Sequence, residues 1–214
     1  MAFTEDQLKE MALQLSCPNG DNGVGVADLM HDTNFGMSKS TIDALKIVDH
    51  DSILELGHGN GKHIATIMQT AENVSYSGLE ISELMKQEAE SLNIAHTSFH
   101  LYNGEIIPFK AEQFTKAMTV NTIYFWKNPV ALLNEVYRVL KPGGLFCITF
   151  AQKEFMEMLP FTQHGFNLYD SAKLEKLVQQ SPFQLIDLTN QTELVKSKAD
   201  EMVERLYTVA TLQK

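Results

Sequence analysis

Cysteine is nearly absent from this sequence. Its 214 residues carry only Cys17 and Cys147, far apart and without metal-ligand spacing, which argues against a disulfide-stapled fold and a structural zinc site and fits a reducing compartment. Positive charge is also scarce: Lys and Arg total 17 against 27 Asp and Glu, for a net charge of -10. With no basic cluster, a nucleic-acid backbone or an anionic membrane is disfavoured as the main partner. No stretch approaches the roughly 18 apolar residues of a membrane span. The opening Met1-Ala2-Phe3-Thr4-Glu5-Asp6 lacks the positive region and apolar run of a signal peptide. A cytoplasmic location is expected. No internal repeat or low-complexity tract appears.

What remains is a composition suited to one core: 44% hydrophobic and 21% charged residues predict a single domain with an extension. The stretch that organises it is Ile53-Leu54-Glu55-Leu56-Gly57-His58-Gly59-Asn60-Gly61. It reads as a buried strand ending in a glycine turn, followed by Ile64, Ile67 and Met68 at helical spacing. Such a turn lets a ligand approach the backbone where a side chain would block it.

Before it, Thr4 and Gln7 form a capping-box pattern, and Leu8, Met11, Ala12 and Leu15 share one face, which predicts a helix over 4–16. Residues 17–25, with Pro18, Gly20, Gly23 and Gly25, read as a loop. A second helix is expected from Ser38 or Ser40, with Ile42, Leu45 and Val48 on one face. Residues 1–36 are therefore expected to be a helical extension, either a lid or a packed side cover.

Strands and helices then alternate. Strands are expected at 74–79, 97–101, 117–120 and 145–150. A helix caps at Ser82, and another begins at Asn128-Pro129 and stops at Lys141-Pro142-Gly143-Gly144. This order predicts a parallel sheet with helices on both faces. Residues 151–170 form a long connection, followed by a helix around Leu174, Leu177 and Val178. Two last strands, 183–188 and 204–212, are joined by a polar loop rather than a helix, so the final strand is expected to be antiparallel.

The glycine spacing selects the ligand. A dinucleotide fingerprint GxGxxG would need glycine at position 62, which is Lys62. The observed Glu55-x-Gly57-x-Gly59-x-Gly61 resembles instead the first motif of the class I S-adenosylmethionine-dependent methyltransferases, and the resemblance runs in order from about Ser40 to Phe150. It implies a Rossmann-like three-layer sandwich with a mostly parallel seven-stranded sheet, with residues 37–214 as the cofactor-binding domain and 151–170 as a substrate-side insertion.

By that resemblance S-adenosyl-L-methionine is the cofactor, bound by Glu55, Gly57, His58, Gly59 and Gly61, with Glu80 on its ribose hydroxyls. Gly104-Glu105-Ile106-Ile107-Pro108-Phe109 matches the third motif. It places Glu105 near the adenine amino group and Ile81 and Ile106 against the base, although Glu stands where Asp is usual. Asn121 opens the segment Asn121-Thr122-Ile123-Tyr124-Phe125-Trp126, where such enzymes meet cofactor and acceptor. That segment is not the Asn-Pro-Pro-Tyr motif of amino-group methylation on nucleic acids or glutamine. Tyr124, Phe125 and Trp126 are expected either to line an acceptor pocket or simply to pack.

An activated methyl donor asks mainly for alignment and exclusion of water. A base is needed only for a protonated acceptor, and Tyr124, His164, His31 and Tyr169 are candidates. Either Glu55 or Glu80 alone could be an ordinary strand-end acid; the ordered set is what points to a methyl-donor site. His58 is expected on the cofactor side or facing solvent, and His63 at the surface. The expected activity is methyl transfer to a small molecule, with no metal. A non-catalytic cofactor-binding or regulatory protein, or a nicotinamide-dependent oxidoreductase, would share the turn. The acceptor, the methylated atom and the oligomeric state are not legible in the sequence.

Overall fold

The structure, a computed structural model, describes residues 3–196 and 202–214. Seven strands form one sheet: β1 (Ser52–Leu56), β2 (Ser75–Glu80), β3 (Thr97–Leu101), β4 (Phe114–Val120), β5 (Leu140–Ala151), β6 (Gln184–Lys196) and β7 (Met202–Gln213), in the order β3-β2-β1-β4-β5-β7-β6. The first five pair in parallel, while β7 runs antiparallel to both of its neighbours. The chain direction therefore agrees with the expectation from its short last connection.

Side chains alternate across the strands, as a period of two requires. Ile53, Tyr76, Met118 and Cys147 pack on one face with Ile42 and Leu45 of α2 (Gly20–Leu45) and with Ile64 and Ile67 of α3 (Ile64–Met68). Leu54, Leu79, Ala117 and Phe146 pack on the other with α5 (Pro129–Val139) and α7 (Ser171–Val178). The strand order turns back between β1 and β4, and at such a reversal the ends of the strands leave a crevice.

The N-terminal region differs from its expected form. α1 (Glu5–Ser16) carries the capping box formed by Thr4 and Gln7. The anticipated loop at 17–25 is helical from Gly20, and α2 runs unbroken for 26 residues through position 37. Interior glycine costs a helix about 1 kcal/mol, but at two positions here neighbouring side chains occupy the space of a Cβ. A Cβ on Gly23 would lie 2.6 Å from Leu84 of α4 (Glu83–Ser91), and one on Gly36 would collide with the carboxylate of Glu193.

The C-terminal region also departs from expectation. The polar stretch after 188 is not a loop: β6 and β7 stay paired out to Lys196 and Met202. Polar cross-strand partners, among them Glu193 opposite Arg205, hold this extension where an alternating apolar pattern is missing. The 141–144 turn interrupts the ladder between Leu140 and Leu145 without ending β5. Residues 152–170 hold α6 (Lys153–Glu157) and a 3-10 turn at Pro160–Gln163 that packs against α1. Among the described residues no helix is long and apolar enough to cross a membrane.

Candidate functional site

The floor of the crevice is the turn after β1. Gly57, at φ 74°, donates to the Leu79 carbonyl at 2.8 Å, and a Cβ there would lie 2.5 Å from Thr122. Gly59, at φ 58°, has nothing within 4 Å of the place where a Cβ would be, so its backbone stands bare to the cleft. Gly61 turns away and packs against Ala89 and Ile64.

Glu80 ends β2 beside this turn. Its buried carboxylate accepts N–H groups from Gly59 at 3.0 Å, Ile81 at 2.8 Å and Ser82 at 3.2 Å. Three backbone donors fix its position while lone pairs remain for a ligand hydroxyl.

Glu55 is also buried. It accepts the Tyr76 hydroxyl at 2.5 Å and lies 2.8 Å from Nε2 of His63. His63 is thus not at the surface as expected. The helix starts only after it, at Ile64, and the turn folds its ring beneath the loop at 6% exposure. Burial presses the His63 pKa down, but the Glu55 charge and hydrogen bond outweigh that, and the net shift is upward. Burial, then Glu55, holds the Tyr76 hydroxyl far above its ordinary range.

His58 is buried too, not facing solvent. Its Nδ1 lies 2.8 Å from the Gly59 carbonyl oxygen. A carbonyl only accepts, so Nδ1 carries the proton and Nε2 is a bare acceptor. That Nε2 is the buried side-chain polar atom left without a partner among the described residues. Burial lowers the His58 pKa, opposed by Glu80 and Glu55. Gly78 makes room for the ring, because a Cβ there would collide with it.

The cleft brings together Glu55, Gly57, His58, Gly59, Glu80, Ile81, Gly104 and Asn121. It does not bring in Glu105 and Ile106. Asn103 Oδ1 accepts the N–H of both at 2.9 Å, a local turn that faces them outward. Glu105 approaches Lys127 at 3.7 Å, and Glu105 and Ile106 line a separate hollow beside α5. Tyr102 stands in the cleft in their stead, its hydroxyl pKa raised by burial and then by Glu80.

The proposed bases separate in the same way. Tyr124 is buried outside the cleft, its hydroxyl shared between the Ala151 carbonyl oxygen at 2.8 Å and Asn121 Oδ1 at 3.0 Å, and burial drives its pKa up. Its structural part is to fix Asn121, which at φ 57° turns the chain from β4 into the cleft wall. His164 follows the 3-10 turn and faces the Glu5 carboxylate of α1. Tyr169 packs against Phe150. His31 alone of the four lines the cleft, its pKa lowered by burial and by His63.

The roof is α2, continuous where the sequence suggested a loop and a break, although a covering element over 1–36 was expected. Ala27, Met30, His31, Asn34 and Ser38 recur along it at helical spacing and face the cleft. Three ties hold it down. Asp28 accepts Asn60 Nδ2 at 2.8 Å and Lys62 Nζ at 2.7 Å, Thr41 donates to Thr149 at 2.7 Å, and Arg205 reaches Thr33 and Asn34. The helical spacing was visible in the sequence, but the expected break at 17–25 and at 37 concealed it.

Comparison with known proteins agrees with this geometry. Residues 54–148 match the family described as Methyltransferase domain. The uncharacterized methyltransferase YdaC of Bacillus subtilis is 30% identical over 128 residues, covering 59% of this chain and 70% of that protein. In other curated relatives the matched segment spans 28%, 46% and 62% of the protein. Among solved structures, the chain accompanying the Haloferax volcanii Trm112 methyltransferase activator in their complex superposes with a TM-score of 0.74 at 17% identity, over 97% of this chain and 98% of that one. A Haemonchus contortus N-methyltransferase bound to phosphomonomethylethanolamine and S-adenosylhomocysteine superposes with a TM-score of 0.72 at 14% identity, over 97% of this chain and 60% of that one.

Proposed function

The chain belongs to the class I S-adenosylmethionine-dependent methyltransferases, and on that premise we propose that it methylates a small-molecule acceptor held between α2 and the segment after β4. The observation that carries this reading is the lining of the cleft: a bare glycine turn and a backbone-held carboxylate, together with the apolar side chains of Met30, Phe125 and Trp126. A partly enclosed cleft of that lining suits a compact ligand with an apolar portion.

The residues present fit the cofactor. Glu80 would take the ribose diol, the Gly57–Gly59 backbone would admit the ligand without a side-chain clash, and His58 Nε2 offers a buried acceptor in need of a donor. When bound, S-adenosylmethionine supplies a methyl group on an already activated sulfonium. The protein's own task is then orientation and exclusion of water. Phe125 and Trp126 give the acceptor compartment apolar walls, and Asn121, fixed by Tyr124 and the Ala151 N–H at 3.1 Å, forms part of its lining. His31 faces that compartment with a lowered pKa, so at neutral pH its imidazole is unprotonated and able to accept a proton from a hydroxyl or ammonium acceptor. The free thiols of Cys17 and Cys147 are consistent with action in the cytoplasm.

Calorimetry with S-adenosylmethionine and S-adenosylhomocysteine tests the cofactor site, and radiolabelled methyl transfer into a low-molecular-mass cell extract tests the acceptor class. Binding together with label in small molecules is expected. Label appearing only in protein or nucleic acid would overturn the acceptor assignment.

A further inference from the structure

Asn34 lies on the cleft side of α2, between His31 and Ser38. Its Oδ1 accepts a hydrogen bond from Arg205 Nη1 at 2.9 Å. A guanidinium only donates, so this contact fixes the orientation of the amide and leaves both Nδ2–H donors for a partner in the cleft. The arrangement is rigid. Arg205 is only 5% exposed, and it also donates to the Thr33 carbonyl and to Glu193 Oε1, each at 2.6 Å. Glu193 is confined in turn by the close approach of Gly36.

The surroundings narrow what Asn34 can meet. The formally charged carboxylates lining the cleft are Glu55 and Glu80, both engaged on the floor, and no Lys or Arg lines it among the described residues. The Arg205 guanidinium behind Asn34 is already neutralised by Glu193 at 2.6 Å, so an anionic or cationic acceptor would lose hydration near Asn34 without finding a free counter-charge, a costly exchange. A neutral oxygen would find a fixed donor.

Resting on the methyltransferase reading, we propose that Asn34 is a specificity-determining residue, with Arg205 as its positioning residue, and that it selects an uncharged acceptor by donating Nδ2–H to an alcohol, phenol or carbonyl oxygen. The amide pair presents two donors of fixed direction, a pattern that recognises oxygen and rejects an ammonium.

Nuclear magnetic resonance of the 15N-labelled protein loaded with S-adenosylhomocysteine tests this, the Asn34 side-chain signal being identified by its loss in Asn34→Asp. Methyl 4-hydroxybenzoate, neutral and oxygen-bearing, is expected to shift that signal, whereas the 4-hydroxybenzoate anion and benzylammonium at equal concentration are not. Asn34→Asp keeps a partner for Arg205 but removes the donor. It is expected to weaken the neutral probe about tenfold or more while S-adenosylhomocysteine affinity stays within about twofold. Arg205→Lys, which keeps a charge for Glu193 but loses the forked contacts to Thr33 and Asn34, is expected to lower the unfolding midpoint and to weaken the neutral probe while S-adenosylhomocysteine affinity stays within about twofold.

A silent Asn34 signal, an equal response to the anion, or loss of S-adenosylhomocysteine binding in Asn34→Asp would each overturn the assignment and leave the methyl-donor site standing. Unchanged probe affinity in Arg205→Lys would remove the positioning role. If the native protein does not bind S-adenosylhomocysteine at all, the functional reading fails first and takes this inference with it.

Discussion

The floor and the roof of the cleft are built on opposite principles. The floor is local: the Gly57–Gly59 turn, the backbone N–H groups that hold Glu80 and the Glu55–His63–Tyr76 side-chain cluster all lie within residues 55–82. The roof is made of side-chain ties between α2 and distant parts of the chain, with Arg205 separated from Thr33 by 172 residues. A local cradle is specified by few residue types and withstands change poorly. A roof of separate ties has parts that differ widely in weight, because a buried charge pair and an exposed one are unequal.

Breaking the buried cluster of the floor should have the largest effect. Glu55→Ala leaves His63 and Tyr76 buried without their acceptor, and a loss of about 3–5 kcal/mol in unfolding free energy by urea titration is expected; a loss comparable to that of a surface substitution would show that the cluster is not a unit. Next comes Glu80→Ala, for which calorimetry should show S-adenosylhomocysteine binding weakened by about 1–3 kcal/mol, the scale of a charge-assisted hydrogen bond. Unchanged affinity would take Glu80 out of the site.

A third test uses pH. The folded pKa of His63 is raised, so its contribution to stability is fully present below the unfolded value of about 6.5 and fades as pH rises through the folded value. His58 and His31 are shifted downward, so theirs is present above the unfolded value and fades as pH falls. His63→Gln should therefore cost more stability at acid than at alkaline pH, and a cost that grows with pH would contradict the assigned pairing with Glu55. The smallest effect belongs to the roof's outer tie. Asp28 and Lys62 meet at 2.7 Å in solvent, and Asp28→Ala should leave the unfolding midpoint within error, as most exposed pairs do. A clear drop would make that tie as important as the floor.

The same contrast explains what could be read from the sequence. Alternating strands and helices, the antiparallel last strand and the gathering of Glu55, Glu80 and the glycines depend on patterns a few residues long, and these were legible. His63 was misplaced because its burial depends on where α3 begins, which Lys62 and His63 do not announce. Glu105 and Ile106 share the expected motif, yet Asn103 turns them outward, and nothing in their own chemistry records it. The continuous α2 was hidden because its glycines read as loop formers, while Gly23 and Gly36 lie against Leu84 and Glu193, partners remote in sequence. Arg205 and Asn34 carried no motif. Their meaning lies wholly in being adjacent.

β7 enters the sheet between β5 and β6, both of which precede it in the sequence. During synthesis from the N-terminus, β6 therefore has no neighbour until β7 emerges, and α2, among the first elements made, waits for Arg205 of that same strand to secure it. Closing so long a loop is slow and is repaid only when the contact forms. In the nascent chain the glycine turn is thus made long before Arg205, the residue that ties the roof of the cleft at Thr33 and Asn34.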